Sequence, residues 1–241
     1  MSLADDLRAL GLRAGGRVVV HSSLREVRAA PGAVVDALLE AVGPEGLVVV
    51  PTFTYDNESF DPATTPGRTG AVSEELRRRP EAVRSLHPTY AVAAIGAGAA
   101  ELCAGHELVA ATAAGSPLDR LAESGGVVLL LGVGQTANTT AHVGEFRAEA
   151  PYLDIPFDPA WPAGPYDRFP GCSRAFGVLE RPLRERRAVR DGRVGRAHAQ
   201  LMPGRAVIEE TVALVHSDPA ALLCSDPACY RCSRARERLQ V

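Results

Sequence analysis

The 241-residue sequence predicts an α/β fold, with a central, largely buried sheet flanked by helices. Two patterns predict it. Four short runs are almost wholly apolar: Arg17–His21, Leu47–Val50, Ala91–Ile95 and Val127–Leu131. They have the length of strands covered on both faces, and they alternate with stretches of helical period. The second pattern is compositional. Apolar residues make up 46% and charged residues 23%, as in a folded globular chain, while aromatics are only 5%, so the core must be built from Ala, Val and Leu. The length suits one domain over residues 1–241, with a cysteine-rich C-terminal tail over 217–241.

Each element has a local cause. Gly15-Gly16 lead into the first strand. Pro31 to Val42 sets Val34, Val35, Leu38, Leu39 and Val42 at helical spacing, and Gly43-Pro44-Glu45-Gly46 stops that helix. Pro51 ends the second strand. Ser116-Pro117 combines a capping hydroxyl with a proline suited to the first helical position, so a helix runs from there to about Ser124, before Gly125-Gly126. Asn138-Thr139-Thr140 opens another helix towards Ala148. Gly204 to His216 places Val207, Ile208, Val212 and Val215 on one face. Two proline-rich stretches, Thr52–Gly70 and Pro151–Gly171, have no regular period, and long irregular loops in a compact domain tend to carry function.

Charge and composition narrow the partners. The 26 basic and 29 acidic residues give a net charge of −3, and every basic residue is Arg. The densest basic run, Arg181 to Arg196, is broken by Glu185 and Asp191 and reads as a solvated face, so no nucleic-acid partner is expected. No apolar run is long enough to span a membrane, and the first residues lack a basic, then hydrophobic, leader. Five cysteines, an odd number, then suggest reduced thiols and a cytoplasmic location. No Walker sequence, dinucleotide glycine pattern or Gly-x-Ser-x-Gly elbow is present.

The densest chemistry follows the Val127–Leu131 strand: Gly132-Val133-Gly134, then Asn138-Thr139-Thr140-Ala141-His142-Val143-Gly144-Glu145. Ligands of open α/β sheets bind at the carboxyl ends of strands. On a helix His142 and Glu145 share a face, and Thr139 lies at the N-terminus, where free N–H groups favour developing negative charge. A base, an orienting carboxylate and an oxyanion site suit acyl transfer. The same residues are also those of a capped helix with a satisfied histidine. His87, held extended by Pro88, either faces a site or anchors the turn before the Ala91 strand. Ser22 and Ser23 close the first strand as phosphate- or amide-binding hydroxyls, as a nucleophile, or as plain helix caps. Cys224, Cys229 and Cys232 have a spacing that can hold zinc, with Cys172 or His216 as the fourth ligand, or are free thiols of the tail.

Taken in order, these segments resemble the aminoglycoside 3-N-acetyltransferases of the antibiotic N-acetyltransferase superfamily. The resemblance is carried by Val20-His21-Ser22-Ser23-Leu24, by Gly43–Gly46 leading into Val50-Pro51-Thr52-Phe53-Thr54, and by Arg84-Ser85-Leu86-His87-Pro88. Ser116-Pro117-Leu118, Leu131-Gly132-Val133 and Asn138 to Glu145 continue it, and Val194-Gly195-Arg196-Ala197 is a weaker match. It implies an antibiotic N-acetyltransferase-like fold and a direct transfer from acetyl-CoA to a small-molecule amine, the 3-amino group of an aminoglycoside. It implies His142 as general base, Glu145 as its orienting carboxylate and Thr139 as the group holding the thioester oxygen. Ser22, Ser23 and Leu24, and then Arg84, Ser85 and His87, would contact coenzyme A. In some members a later carboxylate pairs with the histidine, for which Asp167 and Glu180 are the nearest here. Asp154, Asp158 and Asp167 would receive a cationic acceptor. The region departs from the family pattern at Phe169-Pro170-Gly171-Cys172-Ser173, where an acidic stretch is usual, so a different acceptor amine is one alternative. A zinc-stabilised binding module without catalysis is the other.

Overall fold

The computed structural model describes residues 2–54, 60–156 and 168–241. Along the chain run α1 (Leu3–Leu10), β1 (Arg17–Ser22), α2 (Leu24–Val27), α3 (Pro31–Val42), β2 (Leu47–Pro51), α4 (Ala71–Arg77), β3 (Val83–Arg84) and β4 (Val92–Gly96). There follow α5 (Ala99–Cys103), α6 (Pro117–Glu123), β5 (Val127–Leu131), α7 (Thr140–Arg147), α8 (Glu180–Glu185), β6 (Arg190–Val194), β7 (Ala197–Pro203), α9 (Gly204–Ser217) and α10 (Tyr230–Leu239). Tight 3-10 turns occupy Gln135–Ala137 and Ser173–Leu179.

The seven strands form one mixed sheet in the order β3-β4-β2-β1-β5-β7-β6. β1 runs parallel to both β2 and β5, while β4 and β7 flank this parallel centre antiparallel. The apolar runs predict four of the five inner strands, β1, β2, β4 and β5. Alternation within them splits the core into two layers. Val18, Val20, Val48, Val50, Leu129 and Leu131 pack under α1, α3 and α4. Val19, Leu47, Val49, Val128 and Leu130 pack under α5, α6, α7 and α9. Both faces are therefore covered, and every side chain of β2 is buried.

The predicted helix starts have the expected chemistry. The Ser116 hydroxyl accepts from the Asp119 amide, with Pro117 in the first turn. At α7 the cap is split. Thr139 is the boundary residue and makes no side-chain cap bond, while Asn138 Oδ1 accepts from the Thr140 amide at 3.2 Å. The strands not foreseen are β3, β6 and β7. β6 is an exposed edge strand of sequence Arg-Asp-Gly-Arg-Val, whose charges protect an open edge and hide its strand character.

The C-terminal segment packs into the core. Leu222, Leu223, Cys224, Cys232 and Ala235 are buried in the layer beneath α7 and α9. Among the described residues no helix is long and apolar enough to cross a membrane.

Candidate active site

β1 is followed by α3 on one face of the sheet, and its other parallel neighbour, β5, by α7 on the opposite face. The chain thus diverges at the carboxyl ends of these two strands, where Ser22 pairs with Leu131, and a crevice opens there. It is a cleft of about 270 Å³ lined by His21, Ser22, Phe53, Arg68, Thr69, Ser73, Tyr90, Val133, Thr139, His142, Pro170, Gly171 and Ser173, among others.

His142 Nδ1 lies 2.7 Å from Glu145 Oε2. A carboxylate only accepts, so the neutral ring carries its hydrogen on Nδ1 and Nε2 is the acceptor. Glu145 is fully buried. Its charge is met by two further donors: the Tyr152 hydroxyl at 3.0 Å on Oε1 and the Gly171 amide at 2.7 Å on Oε2. Burial, then the Glu145 charge, pushes the Tyr152 phenol well above its ordinary range, so it stays a donor. The Phe176 ring packs 4.7 Å from the imidazole. α7 itself is seated by Gly144, where a Cβ would stand 2.4 Å from Thr211 Cβ on α9. Thr139 Oγ1 lies 3.4 Å from His21 Nε2, and both side chains line the cleft. Burial, with the neighbouring His142 second, lowers the His21 pKa to about 3, so His21 is neutral.

The structure distributes the predicted residues unevenly. His142, Glu145 and Thr139 come together with Ser22, and Ser23 faces an adjoining groove that shares Val133 with the cleft. Leu24 begins α2 beside them. Arg84, Ser85 and His87 do not line the cleft. Arg84 donates to the Thr52 hydroxyl and carbonyl and to the Pro62 and Thr65 carbonyls, and stacks 5.0 Å from the Phe60 ring centre. Ser85 Oγ is 2.8 Å from His106 Nδ1, and His87 Nδ1 accepts from the Thr89 and Tyr90 amides. These bonds tie His87 to the turn before β4, and it does not line the cleft.

Asp154 pairs with Arg238 on α10 and does not line the cleft. Asp158 and Asp167 lie outside the described residues. Glu180 bonds to Arg184, Gln200 and Gln135, so the histidine's carboxylate among the described residues is Glu145.

Cys172, Cys224, Cys229 and Cys232 converge, with all four sulfurs within 4.8 Å of one another. His216 is not among them. The cluster joins the C-terminal segment to the residue next to Gly171.

Sequence reading missed Arg68, Tyr152, Gly171 and Arg231. Gly171 was visible only as part of a proline-rich loop. Arg68 was one of many arginines, although among the described residues it has no ion-pair partner and stands in the cleft wall.

The family model described as aminoglycoside 3-N-acetyltransferase matches residues 19–216. Aminoglycoside N(3)-acetyltransferase IV from Salmonella sp is 36% identical over 228 residues, covering 90% of this chain and 87% of the relative. A crystal structure of a histidine-to-alanine mutant of the aminoglycoside acetyltransferase AAC(3)-IVa, in complex with gentamicin, superposes with a TM-score of 0.87 at 34% identity, covering 98% and 95% of the two chains. The AAC-IIIb binary complex with CoASH gives a TM-score of 0.76 at 27% identity over 89% and 95%. The fold is that of an acyltransferase. The chain belongs to the aminoglycoside 3-N-acetyltransferase family.

Proposed function

We propose that the protein transfers the acetyl group of acetyl-CoA to the 3-amino group of an aminoglycoside, with His142 as general base. The observation that carries this reading is the buried His142–Glu145 pair at the carboxyl end of β5. An ammonium cannot attack a thioester, so a proton must leave, and imidazole titrates in the right range for the task. His142 Nε2 takes that proton while Glu145, fixed by Tyr152 and Gly171, stabilises the imidazolium through Nδ1–H. The amine nitrogen then bonds to the carbonyl carbon, the Thr139 hydroxyl donates to the developing oxyanion, the C–S bond breaks as the His142 imidazolium protonates the leaving thiolate, and the nitrogen's remaining excess proton passes to solvent.

Ser22, Ser23 and the start of α2 at Leu24 take the coenzyme at the end of β1, and Arg68 supplies a cation for its phosphates. Arg84 serves indirectly: it ties down the 62–65 segment that leads to Arg68. The acceptor's other ammonium groups need carboxylates, and Glu26 and Glu180 line the groove adjoining the cleft. The gentamicin complex of a close structural relative and the CoASH complex of another support both halves of the reading. His142→Ala is expected to keep acetyl-CoA binding and to lower turnover by about 10²-fold or more. The check is a thiol-release assay with a panel of amines that includes aminoglycosides. Unchanged turnover in the mutant removes His142 from the mechanism.

We also propose that Cys172, Cys224, Cys229 and Cys232 hold a structural zinc ion. Zn–S bonds of about 2.3 Å place tetrahedral sulfurs about 3.8 Å apart. Cys172 and Cys224 are 3.8 Å apart already.

A further inference from the structure

Arg231 on α10 is 2% exposed, the largest of the fully buried side chains among the described residues. Taking a guanidinium out of water is costly, and packing alone would be served better by an apolar residue. Its partners show what it holds. Nη2 donates to the Tyr152 carbonyl at 2.9 Å and to the Phe169 carbonyl at 2.6 Å, and Nη1 donates to the Ile155 carbonyl. These carbonyls lie on two separate arms of chain, cross-linked by the Phe169 amide donating to the Leu153 carbonyl. Each arm delivers one donor to Glu145. The Tyr152 hydroxyl reaches Oε1, and the Gly171 amide, two residues beyond Phe169, reaches Oε2. A single planar fork thus fastens both supports of the carboxylate that orients His142. An ammonium could not reproduce that fixed spacing.

We infer that Arg231 is a positioning residue for acyl transfer, acting from the C-terminal helix through Tyr152 and Gly171 on Glu145. The inference rests on His142 being the base. Arg231 touches no reacting atom, so its removal should act on kcat and leave coenzyme binding alone.

The test compares Arg231→Lys, Tyr152→Phe and the double variant of the full chain. kcat is counted per CoA-binding site, so that lost folded protein does not register. Arg231→Lys should lower kcat by about tenfold or more, the scale expected when a supporting group shifts by a fraction of an ångström, with the acetyl-CoA Kd within about twofold of the parent. Because both residues act through Glu145, the double variant should lose much less than the product of the two single losses. Added guanidinium should restore part of the activity of Arg231→Ala, and none of that of His142→Ala. Arg231→Lys with parental kcat, or losses that multiply in the double variant, would overturn the proposal. His142→Ala in parallel separates the two readings: if it stays active, the base assignment fails; if it is inactive while Arg231→Lys is normal, only the role of Arg231 fails.

Discussion

Gly171 stands so close to Glu145 that a side chain of any kind would collide with the carboxylate: a Cβ at 171 would lie 1.9 Å from Oε1. The same glycine donates its amide to Oε2 at 2.7 Å. The absent side chain and the present N–H are two parts of one device, a backbone that closes on the buried carboxylate and fixes its direction towards His142.

Gly171→Ala therefore forces either the loop or the carboxylate to move. Turnover is expected to drop by about tenfold or more. Overpacking at a buried site should also cost about 1–3 kcal/mol of stability. Acetyl-CoA binding should persist, because the groups at the end of β1 are untouched. Steady-state kinetics with calorimetric CoA titration would check this, and a variant with parental kcat would show that Glu145 tolerates displacement.

Arg68 offers a second test, on the coenzyme side. It lines the cleft and has no ion-pair partner among the described residues, whereas Arg77, close by in the chain, is held by Glu74 at 2.7 Å. A charge-assisted bond to a phosphate is worth about 1.5–3 kcal/mol, so Arg68→Ala should weaken acetyl-CoA binding by about tenfold or more with little change in kcat. Equal Kd values for parent and variant would place the phosphates elsewhere.

Much of the fold was legible in the sequence because four of its five inner strands are continuous apolar runs dictated by burial. β2 is apolar at every position because both faces are covered, and the Ser116-Pro117 start works as its chemistry suggests. β6 was not legible, since an edge strand pairs through its backbone while its side chains stay charged. The site divided in the same way. His142 and Glu145 are three residues apart on one helix, so local spacing reveals them. Tyr152 and Gly171 reach Glu145 from two separate segments and Arg231 braces both from a third, and no local pattern encodes a contact made by folding. Arg84 drew attention as a cation near the coenzyme, yet its hydrogen bonds are spent on loop carbonyls, a use that depends on where residues 52, 62 and 65 come to lie.

Three buried histidines make the protein acid-sensitive. Burial above all lowers the pKa of His21 and of His87 to about 3, and that of His106 to about 4. Each is neutral when folded and titrates near 6.5 when unfolded. Above about pH 6.5 neither state binds the proton and stability is complete. As pH falls from there towards 4, the unfolded chain takes up protons that the native one refuses, so stability is lost. Each group contributes about 1.4 kcal/mol per pH unit, and the three together about 4 kcal/mol between pH 7.5 and 5.5. Urea unfolding at those two pH values measures the difference. Carboxylates enter only lower; Glu74, held down to about 2 chiefly by its hydrogen bond from Arg77, loses its contribution below about pH 4.5. Equal stability at pH 7.5 and 5.5 would show that the histidines take up protons in the native state.

The last prediction concerns the four cysteines. If they hold zinc, protein purified without chelators should carry about one equivalent of it, and a closed site of four thiolates leaves no position for water. The ion would join Cys172, one residue from Gly171, to Cys224, Cys229 and Cys232 in the C-terminal segment, so it should stabilise the fold and the wall of the cleft together. Metal binding to a site absent from the unfolded chain adds directly to folding stability. Chelation is therefore expected to lower the Tm, Cys229→Ser to do the same, and returning zinc to restore the parent but not the variant. Turnover should fall in proportion to the loss of folded protein. Metal analysis showing less than about a tenth of an equivalent would mean that the cluster is four packed thiols. A protein that keeps its Tm after chelation but loses all turnover would make the metal catalytic, and the His142 mechanism would then be wrong.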